Sequence, residues 1–315
     1  VAEVSIDAAL VSALVRAQHP QFADIPLGEC YEGWDNTILR LGAEWAVRLP
    51  RRATSARLIA HECAWLPRMS ENWTFAASIP LAHGRPGEGF PWEWAIVPWI
   101  EGSVAYDVPL HALGARQLGR ALAEIHQPVD ASAPRNPYRS TPLGERAERL
   151  DMRLGLLERE YGTLVDCEHA RQVYALGARE RPSVLTWAHL DLHGGNVLTT
   201  EGDLAGIIDW GDAAAGDPAT DLGHVLALVG RRRFRDVVRG YADAGGAAAA
   251  RSGLSEQTAR RVEAEAVGYA VTLASISDSE HCAAGWRALT DLGFATCVPD
   301  NVLAEAGLTA AQGAA

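Results

Sequence analysis

Apolar residues recur at helical spacing near the N-terminus, at Ala9, Leu10, Leu14 and Val15, and Ser5 precedes them as a candidate cap. A first helix is therefore expected to end near His19-Pro20. From Asn36 the period drops to two: T-I-L-R-L, then Gly42-Ala43, then E-W-A-V-R-L-P predicts a hairpin with Arg48 on its second strand. Helical spacing returns over 53–70, with Leu58, Ala64, Trp65 and Met69 apolar and Glu62 partway along. A Gly/Pro-rich turn at 83–91 leads into an aromatic strand, W-E-W-A-I-V-P-W-I, which Gly102 breaks. Helices are predicted at 110–126, 142–160 and 165–180, then again at 218–229, 231–243, 254–276 and 283–293. The Ala/Gly-rich stretch 302–315 is expected to fray at its end. Between the two helical groups lies a β-rich island: V-L-T-W at 184–187, N-V-L-T at 196–199, a turn at Glu201-Gly202-Asp203, and L-A-G-I-I at 204–208. The pattern is α+β, a strand-rich N-terminal third followed by a mainly helical remainder.

The chain has 315 residues, 48% of them hydrophobic, enough to bury a sizeable core in two lobes. Its net charge of -12 argues against gripping a nucleic-acid backbone or an anionic membrane, and a cationic partner would suit it. Acidic balance is also common among soluble enzymes, so this alone selects nothing. Arg supplies the whole basic complement, so any role usual for a lysine ammonium must fall to an Arg. The five cysteines, at 30, 63, 167, 282 and 297, show no metal-like spacing and read as reduced, buried small residues. No apolar run reaches the roughly 18 residues of a membrane span, and no secretory pattern opens the chain, so a cytoplasmic protein is expected.

The island carries the chemistry. H-L-D-L-H-G-G-N at 189–196 is followed by I-I-D-W-G-D at 207–212, so one hairpin supplies two carboxylates and an Asn. Phosphoryl transfer needs a carboxylate to orient a hydroxyl and take its proton, and oxygen ligands to hold Mg²⁺ against a triphosphate. Asp191 is the candidate base, Asn196 and Asp209 are the candidate metal ligands, and Gly194 and Gly195 permit the tight loop.

H-x-D-x-x-x-x-N, I-D-W-G-D and then G-D-P-A-T-D-L-G at 216–223 together resemble the aminoglycoside and macrolide phosphotransferase family, small-molecule kinases with a protein-kinase-like fold. The resemblance implies a small β-rich nucleotide-binding lobe at 1–97, a linker at 98–102 and a larger catalytic and substrate-binding lobe at 103–315. It implies ATP or GTP with Mg²⁺ as cofactors, and a hydroxylated small molecule as acceptor. Arg48 with Glu62 would stand for the family's phosphate-holding basic residue and its helix Glu; the departure is Arg for Lys, and a solvated strand residue is the alternative. Gly33 and Asn36, in E-G-W-D-N-T, would belong to the phosphate-covering loop or be ordinary turn residues. The Pro98 carbonyl and Ile100 amide would face the nucleobase edge, with Trp99 a cover or plain core. His189 would be a structural hydrogen-bonding residue, Asp217 and Asp221 would brace the catalytic loop, and His126 would be a packed residue or charge partner at a helix end. Asp212 after W-G resembles the branch that includes macrolide kinases.

The acceptor is expected against the C-terminal helices, where Glu256, Glu263, Glu265, Asp278, Glu280 and Asp291 would together suit amines, each one singly reading as part of a solvated helix face, and Trp286 could stack on a sugar or fill the core. Two rival readings stand beside the kinase. One is a non-catalytic nucleotide-binding pseudokinase, suggested by the missing Lys and the glycine-poor loop. The other is a Zn-dependent hydrolase, suggested by the alternation of His189, Asp191 and His193.

Overall fold

A computed structural model describes residues 2–250 and 253–308, so the last seven residues of the expected 302–315 tail lie outside it. The chain divides into two compact units, one of residues 1–102 with 205–213, the other of 103–204 with 214–315.

The first unit opens with helix α1 (Ala8–Gln18), whose cap is Asp7 and not Ser5: the Asp7 carboxylate accepts the Leu10 amide at 2.8 Å. Strands β1 (Leu27–Glu32), β2 (Asn36–Leu41) and β3 (Trp45–Pro50) follow, with Gly42 at φ 62° in the turn before β3. Helix α2 (Ala53–Met69) comes next, then β4 (Ala82–Gly84) and β5 (Trp94–Pro98). The five strands form one antiparallel sheet in the order β1-β2-β3-β5-β4. Strand β4 overlaps the start of the segment expected as a turn. Period-two alternation gives the sheet two buried faces. Val47, Leu49, Leu39, Leu41 and Ile96 pack against Leu14 and Val15 of α1, while Ala46, Ala95 and Val97 pack against Ile59 of α2.

The second unit begins with β6 (Ser103–Val104), α3 (Ala112–Ile125), α4 (Leu143–Tyr161) and α5 (Cys167–Ala178). Strands β7 (Thr186–Ala188) and β8 (Val197–Thr200) flank the H-x-D loop, and the boundary between the units falls within β9 (Asp203–Ile207). After β10 (Ala214–Gly216) come α6 (Pro218–Asp243), α7 (Glu256–Ala274), α8 (Ser279–Asp291) and α9 (Asp300–Glu305). Helix α6 is broken at Gly230, whose φ of 70° and ψ of 164° are not helical, which matches the two segments expected on either side of it. Trp286 is fully buried against Tyr161 and is core, so it offers no stacking surface. Of the cysteines only Cys167 is buried; Cys30 and Cys297 are exposed, contrary to expectation. No helix of the described residues is long and apolar enough to cross a membrane.

Candidate functional site

In the first unit Arg48 is buried, because the face of β3 opposite Val47 and Leu49 is covered by α2 and does not meet solvent. Glu62 sits on the same face of α2 as Ile59 and Leu66 and meets the guanidinium twice, at 2.7 and 3.2 Å. The solvated-strand alternative for Arg48 is thereby excluded. Asp209 Oδ1 lies 3.5 Å from the same guanidinium and its side chain is half exposed. Burial pushes the Glu62 carboxyl up to about 7 against the pull of Arg48, with Asp209 adding to the rise. Burial alone would lower the Arg48 guanidinium, but Glu62 and Asp209 outweigh it and hold it charged.

Asp209 is positioned by its neighbours. Trp210 is fully buried beside Trp73 and Phe75, the Ile207 amide donates to the Ala76 carbonyl at 3.0 Å, and His61 bonds the Ala213 carbonyl at 2.6 Å. Asp209 itself adopts φ 62°, a left-handed conformation that favours Gly, Asn or Asp.

Gly33 and Asn36 form a pair apart from this cluster: the Gly33 amide donates to the Asn36 carbonyl at 2.8 Å. The Asn36 side chain is buried with Oδ1 unpartnered, a group that invites a donor. Between them Trp34 is exposed, while Asp35 is tied to Arg52 at 2.7 Å and to the Ser55 hydroxyl at 2.5 Å. Pro98 ends β5 opposite Trp45, and the Ile100 side chain lies against Gly206. Trp99 is half-buried, stacked on Tyr31 with the Arg40 guanidinium 4.2 Å from its ring centre, an arrangement the sequence did not announce.

In the second unit Asp191 and Asn196 are brought together. The Asn196 Nδ2 donates to the Asp191 carbonyl at 2.9 Å, which leaves the amide Oδ1 as the acceptor atom. Arg139 reaches Asp191 Oδ1 at 2.8 Å, and the Tyr269 hydroxyl donates to the same oxygen at 3.3 Å. Burial would raise the Asp191 carboxyl, but Arg139 and the surrounding imidazoles outweigh it and hold it below the usual carboxylate range. Asp191 is thus ionised at neutral pH and able to orient a hydroxyl and receive its proton.

The loop is held from below. Asp221, on the first turn of α6, accepts the amides of His189 and Leu190 at 2.7 Å each. His126 Nε2 lies 3.1 Å from the same carboxylate, His126 Nδ1 is 2.9 Å from the Tyr241 hydroxyl, and the Ala248 amide donates to that hydroxyl at 3.1 Å. The Nε2–H tautomer satisfies every member of this buried chain. The side-chain bonds of Asp217 go elsewhere: it caps α6 through the Ala219 amide and pairs with Arg261 at 2.7 Å. The buried His189 accepts the Asp191 amide at 3.3 Å, the structural role expected of it. Gly194 is required for a reason other than turn geometry: a Cβ there would lie 2.3 Å from the Tyr106 ring. Arg139, Tyr269, His224 and Tyr106 were not singled out in advance, since their only signal is spatial.

Among the described residues, no group of three or more His, Cys, Asp or Glu side chains is arranged to hold a metal by itself. The zinc reading of His189, Asp191 and His193 thus finds no such group among the described residues, and the candidate ligands Asn196 and Asp209, one in each unit, are a set of oxygen donors. Such a set suits Mg²⁺, which takes its other positions from phosphate and water.

These features define a small-molecule phosphotransferase of protein-kinase-like, two-lobed fold. The chain belongs to the phosphotransferase enzyme family, whose model matches residues 29–256. No curated protein matches it in sequence. Among solved structures, the GDP complex of an aminoglycoside 2'-phosphotransferase-IIIa is 19% identical at a TM-score of 0.61, covering 91% of this chain and 98% of its own. A macrolide 2'-phosphotransferase type I is 20% identical at a TM-score of 0.58, with 94% and 99% covered. The macrolide 2'-phosphotransferase MphH of Brachybacterium faecium is 21% identical at a TM-score of 0.57, with 90% and 98% covered. At these identities the likeness establishes the fold.

Proposed function

We propose that the protein transfers the γ-phosphoryl group of ATP or GTP to a hydroxyl of a small molecule, an antibiotic of the macrolide or aminoglycoside kind or a related compound. The observation that carries this reading is Asp191 fixed through one carboxylate oxygen by Arg139 and Tyr269, with Asn196 locked to its backbone. Asp191 takes the acceptor's hydroxyl proton as the new O–P bond forms; the β–γ bridging P–O bond breaks and its electrons leave with the nucleoside diphosphate. Arg48, kept charged and oriented by Glu62, offers a fork of donors to the nucleotide phosphates. Gly33 and Asn36 belong to the loop over those phosphates, and Pro98 and Ile100 to the segment that takes the base. Asn196 and Asp209 would hold Mg²⁺, which when bound draws charge from the phosphate oxygens. The nucleotides and antibiotics named in the structures of relatives, GDP, ADP, ATP, kanamycin, gentamicin and streptomycin, support this class of donor and acceptor.

Asp191→Asn tests it. Turnover should fall by about 10³-fold or more while nucleotide affinity changes by no more than a few-fold, read by radiolabelled transfer and by nucleotide titration. Turnover within a few-fold of wild type would remove Asp191 as the base.

A further inference from the structure

A cavity of about 470 Å³ opens in the second unit beside the H-x-D loop, bordered by His193 and Gly194 and by Tyr269, whose hydroxyl reaches Asp191. Much of its wall is apolar, with Leu110, Leu228, Val229, Leu273 and Leu308 in it. Tyr106, His224 and Arg287 are among its lining residues, and the His224 Nδ1 is buried without a hydrogen-bond partner. His224 is 4% exposed and stacks on Tyr269 at 3.7 Å between ring centres. Burial lowers its imidazole to about 3, so at neutral pH it is an uncharged hydrogen-bonding group.

The charges of the wall are Arg233 and Arg287 against Asp107 and Asp291, which sum to zero. Of the six acidic residues that the sequence offered to a cationic acceptor, only Asp291 lines the cavity. Glu256 pairs with Arg260, Glu263 with Arg231, and Glu265 with Arg146, while Asp278 caps α8 and binds His281. Burial raises the Asp291 carboxyl, with Arg287 opposing the rise. Of the six, Glu256, Glu263 and Glu265 are thus already paired with arginines and Asp278 with a histidine, which narrows the acidic surface left for amines.

We propose that this cavity holds the acceptor and selects a hydroxylated molecule with a broad apolar face and at most one positive charge, Arg287 being the residue that turns polycations away. The inference rests on the phosphotransfer reading of Asp191. Each ammonium of a polyamine loses hydration on entry and needs a carboxylate in return, and the wall offers two, Asp107 and Asp291, the second beside Arg287. Apolar acceptor surface meets the leucines without that loss.

The test is calorimetric titration of the full chain, with Mg²⁺ and a non-hydrolysable ATP or GTP analogue, using erythromycin (one amine on a large apolar ring) and kanamycin A (four amines) as probes. Erythromycin should bind about a hundredfold or more tighter than kanamycin A, Arg287→Gln should narrow that gap about tenfold, and Arg287→Lys, which keeps the charge, should preserve it. Equal or tighter binding of kanamycin A to the wild type overturns the proposal. So does a gap unchanged in a folded Arg287→Gln, or a chain that takes up nucleotide and binds neither probe. A chain that takes up no nucleotide sinks the phosphotransfer reading, and this inference with it.

Discussion

Leu190 holds φ 67°, a left-handed conformation that costs a side-chain-bearing residue of this size on the order of 1–3 kcal/mol and persists only where neighbours enforce it. Asp221 is that enforcement: it takes the amides of His189 and Leu190 that lead into the bend, and His126 and Tyr241 keep its carboxylate in place. The motif alone showed that Asp221 follows the loop in sequence. That His126, 95 residues earlier, completes its support was not legible, because a helix-ending His looks the same in sequence whether it is packed, capping or bonded. His224, one turn further along α6, permits a direct test. Its depressed imidazole stays neutral in the folded chain while the unfolded chain takes up a proton below about 6.5, so stability is full above that pH and falls toward about 3. Compared with His224→Gln by urea unfolding, the wild type should lose about 2 kcal/mol more between pH 7 and pH 5. Parallel profiles for the two proteins would show that the imidazole titrates normally.

Helices α3 and α6 cross through a pair of glycines. A Cβ on Gly119 would lie 2.1 Å from the Val237 carbonyl oxygen, and one on Gly240 would lie 2.1 Å from that of Arg116. Backbone meets backbone there, so Gly119→Ala forces the helices apart and should cost about 1–3 kcal/mol, read as a lowered urea midpoint at unchanged slope. The crossing matters to the site because α3 ends at His126 and the first turn of α6 carries Asp221. Neither glycine was legible as a contact, since helical periodicity names the apolar face of each helix and not its partner. Element type was easier to read: the hairpin from Asn36 to Pro50 and the interruption of α6 at Gly230 follow from local alternation and from one residue without a Cβ.

The molecule consists of a sheet-based unit with Arg48, Glu62 and Asp209, and a helical unit with Asp191, Asn196 and the cavity. A Mg²⁺–nucleotide complex that binds only the folded chain should raise its stability by about 2.7 kcal/mol at a hundredfold excess over Kd. Chelating the Mg²⁺ should remove most of that gain, and Asp209→Asn, tolerated at a left-handed position, should leave unliganded stability intact while losing the Mg²⁺-dependent increment in a thermal-shift titration. The identities and spacings of H-x-D-x-x-x-x-N and I-D-W-G-D belong to the sequence by itself, and so do the family they announce and the α+β order of elements, because all of these are local patterns along the chain. Tertiary structure alone decided that the second face of β3 is covered by α2 and buries Arg48, and that Arg139 and Tyr269 hold Asp191. It alone decided too that Arg146 of α4 pairs with Glu265 and Arg231 with Glu263. Each of these turns on which side chains far apart in the chain folding brings together, and linear spacing carries no information about that.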